Sequence, residues 1–195
     1  MNDSSVPPIV HPVRVEGAAI VLRELAETDL DVLVAIFSDP LVVRYIALDP
    51  VTAEAEAVWL AETIAAATVT PRTQYHLSIE HRPGQSLVGT LRLGIDRPEH
   101  RSGEIGYALA RQWWGKGLAT EAVRLVVRFG FDQLRLHRIW ATHHPDNPAS
   151  GRVLQKAGMT LEGRLRGHMY TKGAWRDSLC YAVLETDDTR PTSVG

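Results

Sequence analysis

Two glycines separated by one residue, Gly115 and Gly117, stand where a strand-like segment gives way to a helical one, in the run Gln112-Trp113-Trp114-Gly115-Lys116-Gly117. The apolar positions that follow, Leu118, Ala122, Leu125, Val126 and Phe129, fall at i, i+4, i+7, i+8 and i+11, which predicts an amphipathic helix opening at Gly117. Glycines at such a junction let backbone come close to a ligand. The free N–H groups and dipole of the helix start favour an anion there, so a diphosphate is the natural guest. The run lacks the Gly-Lys-Ser/Thr of a nucleotide triphosphatase loop. A dinucleotide fold would ask for a third glycine three residues after Gly117, where Thr120 stands, and for an acidic residue closing the next strand, where His143 and His144 stand. Both departures count against a nicotinamide enzyme. A glycine-rich turn before a helix is also often only a turn, so the surroundings must decide.

Other reactive side chains carry less. Adjacent residues on a strand point to opposite faces, so His143 and His144 are not expected to share one metal ion. Trp113 and Trp114 are expected to anchor the loop rather than stack on a ligand. Cys180, the one cysteine, lies in an apolar run and reads as a small core residue; with no partner thiol, a reducing, cytoplasmic compartment is expected. The 195 residues hold 21 Lys and Arg against 23 Asp and Glu, and the formal net charge is −2. That balance lacks the basic footprint of a nucleic-acid partner. Nothing in the first residues reads as a signal peptide or a membrane span.

These candidates need elements to hold them. Residues 1–12 and 187–195 are rich in Ser, Pro, Asp and Thr and are expected to be flexible tails, leaving one domain over 13–186. A strand is expected over Ala18 to Leu25, then a helix capped by Thr28 and ended by Asp39-Pro40. A second helix, capped by Thr52, spans about Ala53 to Ala67 with Val58, Ala61, Ile64 and Ala65 inward. The period then changes. Tyr75 to His81, Ser86 to Ile95 and Gly103 to Leu109 read as three consecutive antiparallel strands. After the Gly117 helix come a strand at Arg138 to His143, a helix at Pro148 to Ala157, a strand at Met159 to Leu165, the turn Thr171-Lys172-Gly173 and a last strand at Ser178 to Glu185. This order describes an α/β (α+β) mixed sheet with helices on both faces.

The stretches E-I-G-Y-A-L, Q-W-W-G-K-G, D-N-P-A-S-G-R-V-L-Q-K-A-G-M and G-A-W-R-D, in this order and spacing, resemble the GNAT superfamily of N-acetyltransferases, in particular its RimJ/RimL-like ribosomal-protein acetyltransferase branch. The signature Gln/Arg-x-x-Gly-x-Gly/Ala is matched by Gln112, Gly115 and Gly117, and the likeness runs from about Ala18 to Glu185. The resemblance implies an acyl-CoA N-acyltransferase fold with a mostly antiparallel central sheet. It also implies acetyl-CoA as co-substrate, no metal, and direct transfer to an amine without a covalent enzyme intermediate.

Carried over by position, the resemblance puts the pyrophosphate on the backbone of Gly115, Lys116, Gly117, Leu118, Ala119 and Thr120. Leu109 lies beside the pantetheine arm and the Asn147 amide holds it, although Asn-Pro is equally a plain helix N-cap. Arg152 and Lys156 reach the phosphates, or are ordinary solvated surface. The resemblance also makes Glu104 the base acting through water, unless it is a solvated strand-edge glutamate, and Ser150 the acid at sulfur, unless it is only a small polar residue of the first helical turn, with Tyr170 a stand-in for the acid. Strand alternation puts Glu104 on the same face as the small residues Gly106 and Ala108. Arg44, Tyr45, His168 and Met169, with Tyr170, form the acceptor pocket, and His168 offers the side chain whose ordinary charge change falls nearest neutral pH. The acceptor expected first is a protein or peptide N-terminal α-amine, because the resemblance points there and carboxylates are scarce. Asp49 and Glu54 are the acidic residues that could fold inward. A small amine such as an antibiotic or a polyamine is the second reading, and a catalytically silent acyl-CoA-binding module the third. Neither nucleic acid nor membrane is an expected partner; a homodimer is left open.

Overall fold

The computed structural model describes residues 11–187. The expected tails therefore lie almost wholly outside the described residues. A single mixed sheet organises the chain. Its strands are β1 (Arg14–Glu16), β2 (Ile20–Glu24), β3 (Gln74–His81), β4 (Ser86–Arg97), β5 (Ser102–Leu109), β6 (Arg138–His143), β7 (Thr160–Thr171) and β8 (Ala174–Leu184). They stand in the order β1-β2-β3-β4-β5-β6-β8-β7. Every neighbouring pair is antiparallel except β5 and β6.

Helix α3 (Leu118–Asp132) covers one face. Its apolar stripe, Leu118, Ala122, Leu125, Val126 and Phe129, is buried against Leu22, Tyr75, Leu77, Leu93, Ile105 and Ile139 of the sheet, as its spacing requires. Leu154 of α4 (Pro148–Lys156) joins the same core. A smaller cluster packs α1 (Leu30–Phe37) and α2 (Ala53–Ala66) together through Leu33 and Leu60, with Leu25 and Leu87. Each fully buried Leu or Ile contributes about 1.5–3 kcal/mol relative to leaving it in water.

Several local expectations change. Thr28 does not cap α1: Glu27–Asp29 form a 3-10 turn, and the buried Asp29 carboxylate accepts the Ala26 N–H at 2.9 Å and pairs with Arg23 at 2.8 Å. An ionised pair holds this helix start more firmly than a threonine hydroxyl could. Thr52 does cap α2, accepting the Ala55 N–H at 3.3 Å. The inner face of α2 is not the expected one, since Glu56, Leu60 and Ala67 are buried while Val58, Ala61 and Ala65 are exposed. An alanine-rich helix has too little contrast around its circumference to fix its rotation from the sequence. Cys180 is buried and unpaired, and burial pushes its thiol up. The strand expected to end at Leu165 continues to Thr171, and β7 and β8 form a long hairpin around Lys172 and Gly173, both in the left-handed region.

Candidate active site

Strands β5 and β6 pair over only three positions, Ser102 with Arg138, Gly103 with Ile139 and Glu104 with Trp140. Beyond Glu104 they splay. β5 stays paired with β4 as far as Leu109, and β6 with β8 as far as Leu179. The two strands leave an opening between them. A cleft of about 570 Å³ occupies it, walled by Tyr107, Ala108 and Leu109 from β5, by the α3 start, and by Asp146 to Ser150 with Arg152, Val153 and Lys156 at α4. Leu41, Val42, Arg44, Tyr45 and Ile46, from the connection between α1 and α2, close its outer side.

At the base of the cleft Gly115 and Gly117 have φ of 75° and 81°, and Gly117 is the residue before the first turn of α3. A left-handed backbone costs a residue with a Cβ about 1–2 kcal/mol, so glycine is needed for the turn itself. Added Cβ atoms would meet nothing within 4 Å, so both glycines also face open space. The turn is braced from outside: the Trp114 indole N–H donates to the Leu109 carbonyl at 2.8 Å, and the Lys116 ammonium lies 4.5 Å from the centre of the Trp113 ring. Both tryptophans thus anchor the loop, though both also line the cleft.

The first turn of α4 supplies the opposite wall. Asn147 caps it, its Oδ1 accepting the Ser150 N–H at 3.3 Å, so the plain capping role is realised. Ser150 faces Tyr107, whose phenol oxygen lies 2.9 Å from Ser150 Oγ and donates to the Ser150 carbonyl at 3.2 Å. Burial pushes the Tyr107 phenol up to about 12, with its bond to Ser150 acting in the opposite direction. Tyr45 stacks on His144 at 5.3 Å between ring centres, and the Arg44 guanidinium sits 5.0 Å from the Tyr45 ring. The buried His143 turns its Nδ1 to the His144 carbonyl, and burial lowers its pKa.

A second groove of about 720 Å³ shares Gly117, Leu118, Thr120 and Lys156 with the cleft. Lys116, Arg124, Arg128 and Lys156 line it against Glu16 and Glu121. Arg124 donates to the Lys156 carbonyl and so ties α3 to the end of α4.

Most expected positions converge. Leu109, Gly115, Gly117, Leu118, Ala119, Thr120, Asn147, Ser150, Arg152, Lys156, Arg44 and Tyr45 all line the cleft, and Lys116 lines the adjoining groove. Glu104 does not. It is the last β5 residue paired with β6, at the apex of the splay and on the opposite face of β5 from Tyr107, with an Arg92–Glu104 ion pair of 2.5 Å. Open space lies next to it, since a Cβ on Gly106 would meet nothing within 4 Å.

The hairpin residues expected to form the acceptor pocket stand apart from this cleft. Tyr170 is 65% exposed with its ring against Trp175, His168 bonds Ser178 Oγ at 3.0 Å, and Met169 is exposed; no β7 or β8 residue lines the cleft. The hairpin extends past His143–Leu179, where β8 leaves β6, so its end stands beyond the splay. It reaches the cleft wall through Lys172, whose ammonium donates to the carbonyls of Val43 at 2.6 Å and Arg44 at 3.4 Å. Asp49 and Glu54 are exposed rather than turned inward. Sequence reasoning missed Tyr107, Arg92, Lys172, Arg124 and Arg128. Only Tyr107 carried a signal: alternation from Ile105 and Leu109 places it on the buried face.

The splayed strands, the left-handed glycines and the helix start between them form a cleft with free N–H groups at one end, which favours an anion there. The family model of the GNAT acetyltransferase domain matches residues 19–160, and the chain belongs to that family. It is 34% identical over 170 residues to YoaA, an uncharacterized N-acetyltransferase of Bacillus subtilis strain 168, covering 87% of this chain and 96% of that one. A [ribosomal protein uS5]-alanine N-acetyltransferase of Escherichia coli K12 is 34% identical over 85 residues, 44% of each chain. Among solved structures, Mycobacterium smegmatis RimJ in complex with CoA-disulfide matches with a TM-score of 0.78 and 26% identity, over 90% of this chain and 88% of that one. The fold and the acetyltransferase class expected from the sequence are thereby established. Among the described residues no helix is long and apolar enough to cross a membrane.

Proposed function

We propose that the enzyme moves the acetyl group of acetyl-CoA to a primary amine carrying a single positive charge, the α-amine of a peptide or protein N-terminus. The observation that carries the carrier's placement is the pair of left-handed glycines opening α3 inside the β5–β6 splay. There the free N–H groups of the helix start receive the pyrophosphate. Arg152 and Lys156 lie at the cleft side of that turn and Lys116, Arg124 and Arg128 at the groove side, which supplies cations for the remaining phosphate charge. The pantetheine arm runs between β5 and Asn147. Its amides pair with strand backbone as an added strand would, beside a Leu109 carbonyl already holding Trp114.

Bound this way, acetyl-CoA supplies the activated acyl group. Glu104, reached from the other face of the splay, takes the proton that the acceptor ammonium must lose, through water. Ser150 offers its hydroxyl to the sulfur as charge develops there. The acceptor reading rests on the charge of the cleft. Asp146 is the one acidic residue among those lining it, against Arg44, Arg152 and Lys156. A polycation would meet repulsion here, whereas one ammonium on a peptide needs only one carboxylate. The uS5-alanine enzyme among the relatives acts on a protein substrate, which supports the same choice.

A free-CoA release assay on short peptides differing at the first residue, run beside spermidine and an aminoglycoside, tests the reading. Peptides are expected to turn over best. A polycation acetylated orders of magnitude more efficiently than every peptide would overturn the acceptor assignment and leave acetyl transfer standing. Binding of CoA with no turnover across the panel would make the protein a silent acyl-CoA binder.

A further inference from the structure

Tyr107 and Ser150 form a two-residue unit whose proton arrangement is ambiguous in an informative way. The Tyr107 phenol has one hydrogen and two acceptors within reach, both on Ser150: Oγ at 2.9 Å and the carbonyl oxygen at 3.2 Å. The carbonyl can only accept. When Tyr107 donates to the carbonyl, the Ser150 hydroxyl completes the pair by donating back to the phenol oxygen, and its hydrogen points away from the cleft. When Tyr107 donates to Oγ, the serine hydrogen is released into the cleft that both residues line. With its pKa pushed up to about 12, the phenol keeps its hydrogen throughout the neutral range and serves only as a donor or neutral acceptor.

We infer that Tyr107 is a positioning residue: by turning its O–H from the Ser150 carbonyl onto Ser150 Oγ, it aims the serine hydrogen at the sulfur that departs. This rests on the reading of Ser150 as the donor at sulfur. In the step concerned, the bond from the amine nitrogen to the acetyl carbon forms and the bond from that carbon to sulfur breaks. The electron pair leaves on sulfur and the amine proton goes to the base. The new thiolate is met by a chain running from Tyr107 O–H to Ser150 Oγ and from Ser150 O–H to sulfur. Two hydrogen bonds in series polarise each other, and the second ends on an ion, where hydrogen bonds are strongest. Without Tyr107 the serine keeps its hydroxyl but loses the bond that directs it.

The test is a double-mutant cycle on the full chain with acetyl-CoA and an alanine-initiated peptide: wild type, Tyr107→Phe, Ser150→Ala and the double variant. Ser150→Ala is expected to lower kcat by about 10-fold or more, and Tyr107→Phe by roughly 5- to 10-fold, with KM for acetyl-CoA within about twofold of wild type. The double variant should be no slower than Ser150→Ala alone, since Tyr107 acts only through the serine. Phenylalanine keeps the ring, so thermal melts of all four proteins separate a folding defect from a kinetic one. A Tyr107→Phe enzyme with wild-type kcat, or losses that multiply in the double variant, would overturn the inference while leaving Ser150 in its role. An unimpaired Ser150→Ala enzyme would overturn that role itself, and this inference with it.

Discussion

Glu104 is placed by register rather than by contact with the cleft. Its partner across the sheet is Trp140, and one residue later the two strands have parted. A carboxylate at that apex can be approached by an amine from one face while the thioester lies along the other. Its side chain is held by Arg92 at 2.5 Å, so an incoming ammonium must share or displace that cation. Replacing Glu104 with Gln keeps the shape and removes the proposed base. Turnover is expected to fall by about 10²- to 10⁴-fold near neutral pH, and the deficit to shrink as pH rises and the amine deprotonates unaided. A pH–rate profile of both enzymes checks this; equal kcat/KM at neutral pH would move the base elsewhere. At this scale legibility followed the chain's local chemistry. Gly115, Gly117 and Asn147 announce themselves because a turn and a cap are encoded within a few residues. Arg92 and Tyr107 do not, because what matters about them is a neighbour 12 and 43 positions away.

Among the elements, α3 and the β3–β4–β5 meander were readable because each has one clean period, 3.6 or 2, and one strongly apolar face. The sequence marks where helix α2 runs but not which side faces inward, since its alanines are neutral about which side is inside. Strand β7 was read six residues short, to Leu165 rather than Thr171, because it is an edge strand exposed almost throughout and shows no alternation. Tyr170, His168 and Met169 lie on that extension and do not line the cleft. What the hairpin does reach is the 3-10 turn Val43–Tyr45, through the two carbonyls that Lys172 holds. A hydrogen bond from a charged donor contributes about 1.5–3 kcal/mol, enough to set how often that segment opens. Replacing Lys172 with Met is expected to speed amide exchange at residues 43–46 at least ~5-fold and to raise the KM for acetyl-CoA with little change in melting temperature. Unchanged exchange and unchanged KM would show that the latch does not hold the wall.

On the scale of the whole molecule, one break in one sheet organises everything else. The strand pairs on either side of β5 and β6 are all antiparallel, and the core beneath α3 is continuous from β2 to β8. The splay therefore opens a gap without leaving the protein underpacked. Cations gather where the phosphates are proposed to lie, although the chain's formal net charge is −2, so placement rather than total charge prepares the site. The proposed placement of the acyl carrier requires the α3 start to be the anion-binding end of that gap. Calorimetric titration of CoA into wild type and Gly117→Glu measures this directly, because the substitution adds bulk and a negative charge at a left-handed residue that faces open space. Wild type should bind CoA, and the variant should bind at least ~10-fold more weakly while keeping a cooperative thermal transition. Equal affinity in a folded variant would contradict the placement of the acyl carrier in the β5–β6 cleft.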